Sequence, residues 1–245
     1  MKLRVAFCAV ALAASACSPA PAPEGEGATP VAAKRTPLPD CAAVEAQDAG
    51  ADGWKHPDCR LMFPDRSGMA VEARYTPAED DSIKVTVQVV APGDATTQFF
   101  EERMGNTFNG VTLADVDKDG KIDMQIPLET GNVNTTWAVW RQVDRGKFVR
   151  IGEPNGVSLV KTDSGYIAAQ ARSSANSWSV SFYKLGGEAL QPVATADITA
   201  QGEPDKITGI ECEITDDGGL AGAGLTPEAA KTQFCAEPSV ADIFK

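Results

Sequence analysis

Histidine is almost missing from this chain of 245 residues: His56 is the only one. Most His-based catalytic triads and most zinc sites therefore lack their usual imidazole. Among six cysteines no C-x-x-C spacing occurs, so the common thiolate metal and redox arrangements are absent as well. There is no glycine-rich phosphate loop and no zinc motif. Beyond the N-terminus no apolar run reaches the roughly 20 residues that a membrane-spanning helix needs. Basic residues are scarce: 22 Lys and Arg face 34 Asp and Glu, for a net charge of -12. That sign is wrong for nucleic acid and for anionic lipid surfaces, and it suits a basic protein partner. Adjacent acids such as Glu101-Glu102 and Asp80-Asp81 point away from each other on an extended chain and read as solvated charge. No catalytic constellation emerges, and the expectation is a protein that is not an enzyme.

The chain does contain D-V-D-K-D-G-K-I-D, from Asp115 to Asp123. Aspartates stand at loop positions 1, 3, 5 and 9, and Gly120 allows the sharp turn that gathers them. Hard oxygen ligands in this number suit Ca²⁺ better than zinc or copper. Asp115, Asp117, Asp119 and Asp123 are expected to offer side-chain oxygens, and Lys121 its backbone carbonyl. An EF-hand would carry a glutamate at position 12, where this chain has Ile126. The flanks alternate instead: Val111 and Leu113 before the loop, then Ile122, Met124, Ile126 and Leu128 after it. Period 2 places the loop between two strands. The other reading is an acidic hairpin turn without metal, in which these carboxylates repel with only Lys118 and Lys121 to offset them. With protein ligands this numerous and no base or nucleophile nearby in sequence, the ion's expected role is structural.

The N-terminus reads as an export signal over residues 1–16. Lys2 and Arg4 are followed by the short apolar stretch Val5 to Ala13 and then Ala14-Ser15-Ala16-Cys17. That ending is similar to a bacterial lipobox, with Cys17 as the lipidated residue, and it also suits ordinary secretory cleavage. Residues 17–39 form a Pro/Ala-rich tether. The expected location is the periplasm, with a lipid anchor in the outer membrane as the only membrane contact. Cys8 leaves with the leader and Cys17 takes lipid, so Cys41, Cys59, Cys212 and Cys235 remain for two disulfides. Three connectivities are open, and the local pairs Cys41–Cys59 and Cys212–Cys235 are the expected ones. His56, beside Pro57, reads as a surface residue.

Residues 40–245 are expected to form one mainly antiparallel all-β domain. Strands are expected over Met69–Thr76, from Ile83 to Val89, over Thr135–Val143 and Lys147–Ile151, and over Tyr166–Ser173 and Trp178–Leu185. Gly186-Gly187 then turns the chain into Ala189–Ala196. Turn signals 8–12 residues apart suggest a sandwich, barrel or propeller rather than parallel βαβ units. One short C-terminal helix starts at Thr226-Pro227-Glu228. A shorter helix capped by Asp40 runs to Ala46, and Gly218 to Gly224 reads as a loop.

Val111-Thr-Leu-Ala-Asp-Val-Asp-Lys-Asp-Gly-Lys-Ile-Asp123-Met resembles the FG-GAP/VCBS type of calcium motif. The order continues with Asn134 to Trp140, Gly146 to Arg150, Ala171 to Ala175 and Trp178 to Tyr183. Over about 111–196 the chain is similar to a family of periplasmic lipoproteins that act as immunity proteins for secreted peptidoglycan hydrolases and are related to periplasmic lysozyme inhibitors. The resemblance implies a small β-propeller-like domain, with a β-sandwich as the alternative, and a polar loop that enters the cleft of a lysozyme-like hydrolase. Here that loop is Arg172, Ser173, Ser174, Asn176 and Ser177, leading to Tyr183. An ordinary hairpin turn has the same composition.

Overall fold

The computed structural model describes residues 38–244, apart from 51–52, 79–80 and 204–205. The leader, Cys17 and the tether up to residue 37 lie outside the described residues. No helix among those described is long and apolar enough to cross a membrane.

A small ribbon comes first, with β1 (Gln47–Asp48) paired to β2 (Trp54–Lys55). The first sheet is an antiparallel meander of β3 (Cys59–Met62), β4 (Ala70–Pro77), β5 (Ile83–Val90) and β6 (Thr96–Met104). Its inward face follows from alternation: Val85, Val87 and Val89 are fully buried while Lys84, Thr86 and Gln88 face outward. The second sheet runs β7 (Thr112–Ala114), β8 (Asp123–Thr130), β9 (Thr135–Asp144) and β10 (Lys147–Gly152), with β11 (Asn155–Gly156) added beside β9. The third runs β12 (Ser158–Lys161), β13 (Ile167–Arg172), β14 (Ser177–Gly186), β15 (Ala189–Glu203) and β16 (Lys206–Asp216). Among the described residues every pairing between these strands is antiparallel, and no sheet closes into a barrel. The all-β antiparallel expectation therefore holds.

The first two sheets share one core: Val71, Val87 and Phe100 of the first pack with Met124, Ile126 and Phe148 of the second. Polar side chains lock the seam. Gln98 donates to the Phe148 carbonyl at 2.9 Å and accepts the Phe148 N–H at 2.6 Å. Glu102 accepts from Trp140 Nε1 at 2.9 Å and Arg150 Nε at 2.6 Å. The third sheet has a separate core, built against α1 (Leu220–Ala223), α2 (Pro227–Ala236) and α3 (Pro238–Ala241). Phe234 of α2 stacks on Phe182 with ring centroids 4.2 Å apart.

Among the described residues three short helices stand at the C-terminal end, where one was expected. The sequence cue for α2 is sound, since the Thr226 hydroxyl accepts from the Ala229 N–H. The Gly218–Gly224 segment is not a plain loop: Leu220 is buried, and a Cβ at Gly219 would collide with the Pro192 carbonyl oxygen. Only glycine allows that approach. The helix expected after Asp40 shrinks to one 3-10 turn, Cys41–Ala43, because Val44 is already extended. The disulfides are Cys41–Cys59 and Cys212–Cys235, the local pairs. The second ties α2 to β16.

Candidate functional site

The acidic bend closes the β7–β8 hairpin. Ala114 pairs with Asp123, so residues 115–122 form the connection at the strand ends. Lys118 and Gly120 take positive φ angles of 52° and 85°. This coils the backbone so that its amides point inward. Asp115 accepts from the N–H groups of Asp119 at 3.1 Å and Gly120 at 3.0 Å. Asp117 also accepts from Asp119 N–H, at 3.2 Å. Asp123 is held at both oxygens, by Val116 N–H at 3.0 Å and Gln142 N–H at 2.9 Å. Asp115, Asp117 and Asp123 each direct one carboxylate oxygen to a common point, all within 4.8 Å of one another. Asp117 and Asp123 are buried there, at 5% and 1% exposure.

Of the four aspartates expected to ligate, three converge and Asp119 does not. The Asp119 carboxylate is turned to Arg141, whose Nη2 lies 2.7 Å away, and to Lys121 Nζ at 3.2 Å. Arg141 also reaches Asp117 through Nε at 2.5 Å. Lys121 gives its N–H to Asp119 at 2.9 Å. The bend is further fastened to the third sheet. Lys161 Nζ donates to the Asp117 carbonyl at 3.0 Å, and Lys118 Nζ to the Lys161 carbonyl at 3.3 Å.

Arg141 and Lys161 are the participants that motif reading overlooks, since both lie outside the nine-residue pattern. Arg141 reaches the bend through strand register. The β8–β9 register pairs Met124 with Trp140, so the next residue along each strand, Asp123 and Arg141, meet at the same end. The electrostatics follow from this layout. Burial, reinforced by the charges of Asp117 and Asp119, pushes the Asp123 carboxyl up to about 6, against the pull of its two N–H donors. Burial acts in the same upward direction on Asp119, but the Lys121 amide and ammonium and the Arg141 guanidinium outweigh it and hold that carboxyl low. Three converging carboxylates against one guanidinium leave a net negative pocket of hard oxygens. Their chemistry fits a divalent cation of the calcium type.

The hairpin between β13 and β14 carries the other group of residues. Ser173 and Ser174 N–H both donate to the Ser177 carbonyl at 3.0 Å, which closes the turn. Ser174 and Ser177 hydroxyls lie 2.9 Å apart, and Arg172 Nε donates to the Ser174 carbonyl at 3.0 Å. Asn134 clasps the hairpin from the β8–β9 turn, accepting from Arg172 N–H at 2.8 Å and donating to its carbonyl at 3.0 Å. Between the two turns lies a polar cleft of about 350 Å³, lined by residues 131–134 and 172–175. Tyr183 is not part of it. It sits six residues beyond Ser177 on β14, about 20 Å along an extended strand, opposite Ile167 and Pro192.

His56, expected at the surface, is partly buried. Its Nε2 is 2.8 Å from the Thr107 carbonyl, and its ring stacks on Tyr75 with centroids 4.9 Å apart. No family model matches this sequence, and no curated protein matches it. A solved structure described as a Xanthomonas type IV secretion system related protein aligns with a TM-score of 0.38 and 12% identity, over 70% of this chain and 91% of that one.

Proposed function

We propose that this protein is an exported, non-enzymatic binding module. In this reading its β domain is held by Ca²⁺ at the Asp115–Asp123 bend, and it inhibits a lysozyme-like peptidoglycan hydrolase. The observation that carries the cation is the meeting of the Asp115, Asp117 and Asp123 carboxylates within 4.8 Å. Bound there, a Ca²⁺ ion would supply positive charge to Asp123, which is held by two backbone N–H groups, and to Asp117 beside its pairing with Arg141. The ion's part is structural, and no reaction runs through it. Cys17 as a lipid anchor in the periplasm, at the outer membrane, belongs to the same reading.

The inhibitory part rests on the exposed Arg172–Ser177 hairpin beside the polar cleft, and on a net charge of -12 that favours a basic enzyme. Arg172 is the residue suited to a catalytic carboxylate of that enzyme. Two measurements test the whole. Calorimetry with Ca²⁺ reads the metal site, and no heat at millimolar ion would remove it. Turbidity assays of cell-wall lysis read the inhibition. Salt-sensitive inhibition that disappears in Arg172→Glu is expected, and unchanged lysis rates across a panel of muramidases would remove the inhibitor.

A second reading is a structural or adhesive envelope module. It is favoured by the spending of the Ser174 and Ser177 hydroxyls on their own turn. Co-sedimentation with cell-wall sacculi, without inhibition, would support it.

A further inference from the structure

A second and larger opening, of about 710 Å³, lies at the end of the first sheet, under the β1–β2 ribbon. It shares no residue with the acidic bend or the hairpin cleft. Trp54 and His56 are two apart on an extended segment, so they face the same side. Both line the opening, together with Tyr75. The rings are fixed in place. His56 is held by the Thr107 carbonyl and stacked on Tyr75. Just outside, Phe108 meets Trp54 edge-on with centroids 5.8 Å apart and is 48% exposed. Gly53 brings the ribbon close: a Cβ there would stand 3.1 Å from Asn106 Oδ1.

Burial lowers the His56 pKa, and the ring is therefore neutral near pH 7. Its Nε2–H then donates to the Thr107 carbonyl, which leaves Nδ1 as an acceptor. The rim carries Lys55, Asp81 and the Asn106 amide. One cation and one anion give no net charge, so a phosphate or an acidic peptide has too little to hold it. A purely apolar guest would strand the polar rim. The volume lies within the range of small-ligand sites.

We propose that this groove binds a neutral saccharide of about two rings, with the C–H faces of the sugars against Trp54 and Phe108 and their hydroxyls on Asn106, Lys55 and Asp81. Aromatic side chains offer large rigid faces at low entropic cost, and the flanking polar groups fix orientation. This site stands independently of the cation and of hydrolase inhibition.

The test is a ¹⁵N NMR titration of the protein with N,N′,N″-triacetylchitotriose and, in parallel, cellotriose, which lacks acetamide groups. The expected result is saturable binding of at least one sugar with a Kd below about 1 mM. Shifts should be confined to the Trp54 indole and the amides of residues 53–56 and 105–108. Trp54→Ala and Phe108→Ala should each weaken binding about tenfold, while Phe99→Ala, an exposed ring on β6, should not. Phe108 is exposed enough for its variant to fold if Trp54→Ala does not. Three results overturn the proposal: no shifts at about 10 mM sugar, shifts centred on residues 131–134 and 172–175, or unaltered affinity in Phe108→Ala.

Discussion

Replacing Arg141 by Gln tests how the acidic bend is balanced. The guanidinium is 22% exposed and pairs with Asp117, whose side chain is 4% exposed, and with Asp119 at 21%. Removing one partner of a buried ion pair costs about 3–5 kcal/mol, because the other charge stays behind. Partial exposure of Arg141 and Asp119 screens part of that, so we expect a loss of about 2–3 kcal/mol in chelator. For a domain of this size each kcal/mol moves the melting temperature by about 2–4 °C. The variant should therefore melt about 4–12 °C below the parent. On the proposed calcium reading, excess Ca²⁺ should shrink the difference to under about 1 kcal/mol, since the ion would supply the missing positive charge and bind only the folded bend. Calorimetric melts of both proteins, in chelator and in Ca²⁺, give the four numbers required. If the two proteins melt together in chelator, Arg141 does not neutralise the bend. If the loss is the same with and without Ca²⁺, the ion and the guanidinium do not share one role.

Three further outcomes are expected. Gly219→Ala should destabilise by about 1–3 kcal/mol, as the new methyl meets the Pro192 carbonyl and the Val193 Cα; an unchanged urea midpoint would contradict the packing. Glu237→Ala should cost about 2 kcal/mol, because the Glu237 carboxylate receives Asp163 N–H at 3.3 Å, Ser164 N–H at 3.2 Å and the Ser164 hydroxyl. Faster amide exchange at Asp163 and Ser164 is the local readout. His56 has a folded pKa below its unfolded value of about 6.5. The unfolded chain then binds the extra proton first, so stability falls as pH drops through about 6.5 and levels off below the folded pKa. The raised Asp123 carboxyl, at about 6, acts in the opposite direction in parent and variant alike, so the readout is the parent-minus-His56→Gln difference in stability, which should fall as pH drops through about 6.5; a difference independent of pH there would refute the assignment.

Period-2 patterning made β5 readable, because that strand hides one face against a core, and turn signals bounded β9, β10, β13 and β14. It failed for β6. The inward positions of that strand include Gln98 and Glu102, polar residues that bond to Phe148, Trp140 and Arg150 on the next sheet. No local window reveals a partner some fifty positions away. The same limit hid Arg141 and Lys161, since the motif lists its own residues and not the strands folded across it. The grouping of Asp115, Asp117 and Asp123 was legible from spacing, because short-range turn geometry decides it. The position of Tyr183 was not, because distance along a strand grows with every residue. The local cysteine pairs followed from chain proximity.

Cys41–Cys59 has a mechanical consequence. Tension entering the domain from its N-terminal side arrives at Cys41 and crosses sulfur directly into β3, next to the parallel bridge between Asp40 and Arg60. The intervening stretch, with Trp54 and His56, lies inside the closed covalent loop and carries none of that load. A pull on this end therefore strains the margin of the first sheet while the aromatic groove keeps its shape.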